Sequence, residues 1–264
     1  MSTSEAVLYR THVLNPMVRR EIERLRSEVV GDHFVVGYLK DNAAALGPPD
    51  ATHRMYRQSD LANLPYPNKA IFVDWAKPIG DNDLPVLAFY REQPGYDFYW
   101  VVEYDVRYTG HWGTLFAELR SSGADYLGTT IQDYDENPRW VWWHTLVNVR
   151  PSLLERVRCF SPFARLSNAA LAVIDQWYRD GGAGHYELTW PSVCKTKGLI
   201  IEDIGGSGRY TPERWQGHHY SNAPLHPALS PGTFVWRPAF REDALPTESL
   251  KHGGRPMLWH PIKD

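Results

Sequence analysis

The sequence has little cysteine: Cys159 and Cys194 are the only two among 264 residues. Two cysteines are too few for a disulfide scaffold, and their spacing is not that of a paired zinc site, so we expect both to be reduced. An excess of basic residues is also missing, because the formal net charge is -3. The sequence therefore argues against a nucleic-acid partner.

Long hydrophobic runs are absent as well. No apolar segment approaches the roughly 20 residues that a helix needs to cross a bilayer. The N-terminal residues MSTSEAVLYRTH lack the basic start and the apolar core of a secretion signal. We therefore expect a cytoplasmic protein without a transmembrane segment.

Aromatic residues, by contrast, are abundant and make up 13% of the chain, with 11 tryptophans. Three of these cluster at Trp140, Trp142 and Trp143. Indole faces are good platforms for the C–H faces of sugars, and clefts for polar ligands often use them. Ordinary core packing explains any single tryptophan equally well, so the cluster indicates a carbohydrate site only together with other residues.

The pattern of apolar residues predicts strands that alternate with helices. Ala6 to Tyr9 and His33 to Leu39 have the pattern of strands, and Asn15 followed by Pro16 is typical of the start of a helix between them. This order indicates a nucleotide-type βαβ unit, although the Gly-rich fingerprint G-x-G-x-x-G is missing.

The whole chain, residues 1–264, is predicted to be one domain with an α/β fold. We expect a mostly parallel Rossmann-type sheet flanked by helices, with an irregular C-terminal segment after Gly205. Residues 1–110 are expected to form a nucleotide-binding half, and residues 111–264 an acceptor-binding half that includes this segment. Residues 132–158 have the pattern of a mixed, Trp-rich connection, and the polar edge from Ser161 to Ser167 is interpreted as part of an acceptor-binding wall.

The most informative segment is Phe98 to Trp112, FYWVVEYDVRYTGHW, in which an apolar run ends in Glu103, Asp105 and Arg107. A continuous aromatic and β-branched run is typical of a strand buried on both faces, and ligands bind at the carboxyl ends of strands in open α/β sheets. Residues two apart on a strand point the same way, so Glu103 and Asp105 are candidates to hold one cation, with Arg107 near a phosphate. A solvated salt-bridge cluster is the alternative.

A Gly-rich loop, GGAGHYEL over residues 181–188, places Glu187 in the first turn of a predicted helix. Glycines let the backbone approach a ligand closely, and a carboxylate is favourable at a helix N-terminus because of the helix dipole. The dipole would lower the pKa of this carboxyl group and burial would raise it, so Glu187 is a candidate general base. A capping role is the equal alternative.

The C-terminal sequence LWHPIKD carries His260 and Lys263 directly after a small apolar patch. A neutral imidazole is a common ligand for a divalent ion, and a lysine amine is a compact countercharge for phosphate. Because the pair lies at the terminus, two flexible bystanders are the alternative.

The segments YRTH, EYD, GGAGHYEL and WHPIK, in this order, resemble the motifs of the GT-A class of nucleotide-sugar glycosyltransferases. The resemblance implies a GT-A-like fold in which Glu103 and Asp105 hold a divalent cation, Mn or Mg, and the donor diphosphate. It also implies that His260 is a late metal ligand and that Glu187 is the base of an inverting enzyme.

The resemblance implies that Thr11, His12 and Asp41 border the base and ribose of the nucleotide. Further candidates for binding the nucleotide sugar, beside the acidic pair, are Arg57, Arg107 and Lys263, and the candidates for the acceptor are Trp142, Trp143 and His185. The chain departs from the family pattern in two places: the acidic motif is E-x-D in place of D-x-D, and Leu188 follows Glu187 where a second acidic residue is usual. A metal-free variant, in which Arg107 and Lys263 neutralise the leaving diphosphate, therefore stays open.

The sequence thus predicts a glycosyltransferase that moves a sugar from a nucleoside diphosphate sugar, with a UDP-sugar favoured, to a hydroxyl of a glycan or small-molecule acceptor in glycan or polysaccharide biosynthesis. Two other classes stay open. A glycoside hydrolase would use two carboxylates among Glu103, Asp105 and Glu187 but needs no nucleotide pocket. A non-catalytic carbohydrate-binding protein would account for the tryptophans, although such modules are usually small β structures.

Overall fold

Strands and helices alternate along most of the chain in the computed structural model, which describes residues 3–40, 52–69, 82–147, 151–222 and 232–263. The strands are β1 (Glu5–Arg10), β2 (Asp32–Leu39), β3 (His53–Arg57), β4 (Phe98–Glu103), β5 (Arg107–Tyr108), β6 (Tyr126–Asp133), β7 (Val157–Ser167), β8 (Ile201–Asp203), β9 (Phe240–Arg241), β10 (Leu258–Trp259) and β11 (Ile262–Lys263). The helices are α1 (Pro16–Glu28), α2 (Gln58–Ala62), α3 (Leu84–Glu92), α4 (Trp112–Leu119), α5 (Asn168–Arg179), α6 (Tyr186–Thr196) and α7 (Leu245–Lys251).

Seven strands form one sheet in the order β3-β2-β1-β4-β7-β6-β8. Neighbours from β3 to β4 are parallel, as are β6 and β8, whereas β7 is antiparallel to both β4 and β6. The predicted α/β fold, a mostly parallel sheet flanked by helices, is therefore confirmed. The sheet takes strands from both sides of residue 110, so the two expected halves share one sheet.

The sheet is covered on both faces, which explains the continuous apolar runs. Alternate residues of β1 enter opposite cores: Ala6 and Leu8 pack with α3, α5 and α6, whereas Val7 and Tyr9 pack with α1 and α4. Fully burying an aliphatic side chain of this kind stabilises the fold by about 1.5–3 kcal/mol. Two-sided burial therefore holds the strand ends at fixed positions.

The first helix begins as its sequence predicts. The side chain of Asn15 accepts a hydrogen bond of 2.9 Å from the backbone N–H of Val18, and Pro16 occupies the first helical position. The helix ends at Glu28, ahead of Gly31, whose φ of 147° lies in the region that favours glycine. The chain can thus turn into β2 without strain.

The expectation for residues 157–167 was wrong. Ser161 to Ser167 were expected to form a polar wall, but the whole of β7 is buried between β4 and β6. One of its two arginines, Arg165, donates to the carbonyl oxygens of Leu119, Ser122 and Ala124 at 2.9–3.1 Å. Because these partners lie far away in sequence, a strand interrupted by charged residues was not recognised.

The carboxylate of Asp83, the residue before α3, makes no cap to the helix and pairs with Lys69 at 2.9 Å. Asp41, which was expected beside the nucleotide, lies outside the described residues. Within the described part of the chain, no helix combines the length and the apolar character that a membrane crossing requires.

Candidate functional site

A cavity of about 730 Å³ opens where β1 and β4 end and where the antiparallel β7 begins. This is the edge at which open α/β sheets bind ligands. Nine of the residues that the sequence indicated line the cavity together: Thr11, His12, Glu103, Asp105, Trp142, His185, Glu187, His260 and Lys263. Segments that are far apart in sequence therefore meet at one site.

Arg107, Arg57 and Trp143 are not brought to this cavity. The guanidinium of Arg107 is buried and pairs with Glu242 at 3.0 Å and with Glu21 at 3.7 Å. The indole of Trp143 is fully buried and donates to a backbone carbonyl, that of residue 137, at 2.7 Å.

Arg57 ends the edge strand β3, and its side chain lies near the carbonyl oxygen of Lys40, at 3.5 Å. Because Arg107 pairs with Glu21 and Glu242 away from the cavity, it does not form the predicted pair of cations with Lys263 at a diphosphate.

Glu103, Asp105 and His260 form a compact group of possible ligands, in which one atom from each lies within 4.8 Å of the others. Two cations hold the outer oxygens of the carboxylates: Arg10 pairs with Oε1 of Glu103, and Lys263 with Oδ2 of Asp105 at 2.5 Å. The remaining oxygens face Nε2 of His260, at 3.6 Å from Glu103 and 3.4 Å from Asp105. Three acceptor-type atoms therefore converge on one point.

This donor set fits a divalent cation. Nδ1 of His260 donates to the carbonyl oxygen of Val235 at 2.8 Å, which leaves the lone pair of Nε2 directed at the carboxylates in the neutral ring. Oδ1 of Asp105 is buried and accepts no hydrogen bond from the described residues. A proton or a metal ion between these atoms would remove the repulsion, and carboxylate and imidazole are ordinary ligands of Mn and Mg sites.

Electrostatics keep Asp105 ionised in spite of its burial. Burial alone would raise the pKa of this carboxyl group, but the neighbouring His260 and Lys263 outweigh it and hold the pKa well below its usual range. Burial alone would lower the pKa of Lys263, but the contacts with Asp105 and Tyr104 outweigh burial. The pKa of Lys263 is therefore raised above its ordinary value. Both groups are charged at neutral pH.

Glu187 lies in the first turn of α6, as the Gly-rich loop predicts. Its Oε1 accepts a hydrogen bond of 3.1 Å from the backbone N–H of Ser161 in β7, and its own N–H donates to the ring of His185 at 3.3 Å. Burial raises the pKa of this carboxyl group, and Arg158 offsets part of the rise. Such a carboxylate is a stronger base than an exposed one.

Aromatic rings form one wall of the cavity. The ring of Trp142 stacks on His185, with centroids 5.1 Å apart and an angle of 20°, and Trp140 meets the same imidazole edge-on at 5.7 Å. Burial lowers the pKa of His185 to about 3, so the imidazole is neutral at ordinary pH. The wall therefore presents flat, uncharged faces beside Glu187.

The sequence did not indicate four arginines that line the cavity: Arg10, Arg139, Arg158 and Arg237. Arg10 ends β1 and pairs in register with Glu103 at the end of β4, so its position one residue before Thr11 was a usable signal. Arg158 lies near the start of β7, and no signal pointed to it because the strand itself was not recognised.

A family model described as "Protein of unknown function (DUF3405)" matches residues 54–126. No curated protein matches the chain.

Several solved structures resemble the chain at low identity. A putative glucose-1-phosphate thymidylyltransferase from Bacillus anthracis, in complex with a sucrose, is 10% identical with a TM-score of 0.43, over 78% of this chain and 88% of that one. Mouse xyloside xylosyltransferase 1 is 12% identical with a TM-score of 0.38, over 77% and 85%. HddC from Yersinia pseudotuberculosis is 10% identical with a TM-score of 0.31, over 64% and 79%. Because all three TM-scores lie below 0.5, the function of this chain must be inferred from its own site.

Proposed function

We propose that this chain is a GT-A-like glycosyltransferase that moves a sugar from a nucleoside diphosphate sugar, with a UDP-sugar favoured, to an acceptor hydroxyl in glycan or polysaccharide biosynthesis. One observation carries the proposal: a single cavity at the strand ends combines a triad of cation ligands with a separate buried carboxylate. Glu103, Asp105 and His260 form the triad, which can hold a cation that binds a diphosphate. Glu187 is placed to act as the base that removes the proton of an acceptor hydroxyl.

Each group has a defined task in this proposal. Glu103, Asp105 and His260 would hold a divalent cation, Mn or Mg, which when bound supplies positive charge to the leaving diphosphate. The ammonium of Lys263, already ordered against Asp105, contributes a second positive charge there. Because Arg107 is turned to Glu21 and Glu242, the metal-free alternative lacks one of its two cations.

The acceptor lies on the side of Glu187. The carboxylate takes the proton of the acceptor hydroxyl as the new glycosidic bond forms, which is the pattern of an inverting enzyme. Trp142 and His185 provide flat faces for a sugar ring, and Thr11 and His12 border the base and ribose of the nucleotide at the end of β1.

Nucleotide binding is the first test. UDP with manganese is expected to raise the melting temperature more than UDP or manganese alone, because a ligand at 100 times its Kd stabilises the native state by about 2.7 kcal/mol. Glu103→Gln should remove the increment that manganese adds, whereas Glu213→Gln, at a position that does not line the cavity, should retain it. If UDP, GDP and dTDP all leave the melting temperature unchanged with and without manganese, the proposal fails.

The transfer rate is also expected to depend on pH through Glu187. A base works when it is ionised, and burial raises the pKa of this carboxyl group, so the rate should fall on acidification with a midpoint above the ordinary value of about 4.3. Asp105 cannot produce this limb, because its pKa is held far below. A pH profile of kcat whose acid midpoint lies at or below the ordinary glutamate value would contradict the assignment of the base.

A further inference from the structure

One buried cation of the cavity has no anionic partner among the residues that the structure describes. Arg158 is 3% exposed and lines the cavity, where its guanidinium lies 4.7 Å from the ring centre of Trp140. Its Nη2 approaches the carbonyl oxygen of Cys159 at 3.4 Å, and its buried Nε makes no hydrogen bond within the described part of the chain. Among the described residues, no carboxylate lies within ion-pair distance of this guanidinium.

The other buried arginines of the fold show how unusual this is. Arg10 pairs with Glu103, and Arg107 pairs with Glu242. Arg156 donates to two backbone carbonyl oxygens, and Arg165 donates to three. Removing a charge from water without a partner is costly, so buried cations are normally compensated. Arg158 is the exception among these five arginines, because its one hydrogen bond within the described residues is a 3.4 Å contact, and this points to a ligand as its partner.

Glu187 compensates Arg158 only at a distance. Burial lowers the pKa of Arg158, and the negative charge of Glu187 raises it again in part. Yet the carboxylate of Glu187 is directed to the backbone N–H of Ser161 and to His185, whose Nδ1 lies 3.9 Å away. The guanidinium therefore keeps N–H groups for another acceptor.

The charged side chains of the cavity also favour an anionic ligand. Among the described residues, the cationic ones are Arg10, Arg139, Arg158, Arg237 and Lys263, and the carboxylates are Glu103, Asp105 and Glu187. Two of the three carboxylates are already neutralised by ion pairs with Arg10 and Lys263. A cavity with more cationic than anionic side chains attracts negatively charged ligands.

We propose that the cavity binds a sugar that carries a carboxylate, and that Arg158 receives this group. The inference rests on the proposed transfer from a nucleotide sugar and names the class of one of its substrates. A carboxylate matches the fork of a guanidinium, and the pair is strong in a buried site. The acidic sugar is either the one transferred or the one that accepts it.

Two pairs of probes distinguish these sources. UDP-glucuronate is compared with UDP-glucose for the donor, and methyl β-D-glucuronide with methyl β-D-glucoside, in the presence of UDP, for the acceptor. Binding is measured by calorimetry on the full chain. We expect the acidic member of one pair to bind at least about tenfold more tightly, as for a charge-assisted hydrogen bond.

Arg158→Met should abolish this preference, and Arg158→Lys should reduce it, because an ammonium keeps the charge without the fork. Affinity for UDP itself should be unchanged in both variants, which also shows that they fold. The matched control is Arg214→Met: this arginine stacks on Trp215 at 4.3 Å, as Arg158 does on Trp140, but does not line the cavity. It should keep the full preference.

The outcomes separate this inference from the proposed function. UDP binding with equal affinities within both pairs, or a preference that persists in Arg158→Met, overturns the carboxylate site and leaves the transferase proposal standing. A wild-type protein that binds no uridine nucleotide overturns the proposed function and this inference with it.

Discussion

Replacing Glu187 by glutamine is expected to slow sugar transfer by about 10²- to 10⁴-fold, the usual contribution of a positioned general base. Glutamine retains the oxygen that accepts the hydrogen bond from the N–H of Ser161, so the side chain should keep its place. The amide cannot take a proton from the acceptor hydroxyl, and kcat should therefore fall while nucleotide binding is preserved. Steady-state kinetics and calorimetry with UDP measure the two effects separately.

Glu213→Gln is the matched control for this experiment, because Glu213 does not line the cavity and the same chemical change there should leave the rate unchanged. A Glu187→Gln variant with the full rate of transfer would rule out this residue as the base. If the wild-type protein releases free sugar from a simple glycoside without any nucleotide, the same loss in the variant would instead mark a glycoside hydrolase.

The second large effect is expected on stability, at the ion pair between Lys69 and Asp83. Their side chains are 2% and 0% exposed, their charged atoms are 2.9 Å apart, and Tyr178 donates to the same carboxylate at 2.6 Å. Asp83→Asn should lower the free energy of unfolding by about 3–5 kcal/mol, because it removes the carboxylate that neutralises the buried ammonium of Lys69. Equilibrium unfolding in urea measures the loss.

A double variant shows whether the uncompensated charge is the cause. In Lys69→Met with Asp83→Leu both charges are gone, and apolar replacements of a buried pair often restore stability, so this protein should be more stable than Asp83→Asn alone. Glu248→Gln, which removes a surface pair with Lys251, should leave the urea midpoint nearly unchanged. A double variant that is less stable than the single one would contradict this explanation.

The same ion pair has a bearing on the site. Nζ of Lys69 also lies 3.3 Å from the carbonyl oxygen of Gly184, in the loop that leads to Glu187. Loss of the pair should therefore weaken the support of the base as well as the fold.

The parts of the fold that the sequence predicted are those whose cause is local. Asn15 and Pro16 start α1 through their own conformational preferences, and the apolar run of β4 is explained by burial on both faces. β7 was missed because its cause is not local. Arg165 would be costly inside a sheet, and only the three carbonyl oxygens of residues 119–124, about 40 positions earlier, make it acceptable.

The same distinction applies to the site. Glu103 and Asp105 were predictable because strand ends collect functional residues, and Glu187 because a Gly-rich loop precedes it. Arg107 was placed near a phosphate from its spacing alone, but a guanidinium is long, and the carboxylates of Glu21 and Glu242 draw it to the other side. Spacing along a strand gives the direction of a side chain and leaves its ionic partner undetermined.

The antiparallel run of β7 has a consequence for how new specificities arise. Asp133, the last residue of β6, pairs with Val157, the first of β7, so the intervening stretch leaves and re-enters the sheet at adjacent points. That stretch carries Trp140 and Trp142, which border the cavity. A loop graft between positions 133 and 157 would therefore reshape the aromatic wall without displacing Glu103, Asp105 and His260. The choice of ligand at this wall can thus change while these three side chains stay in place.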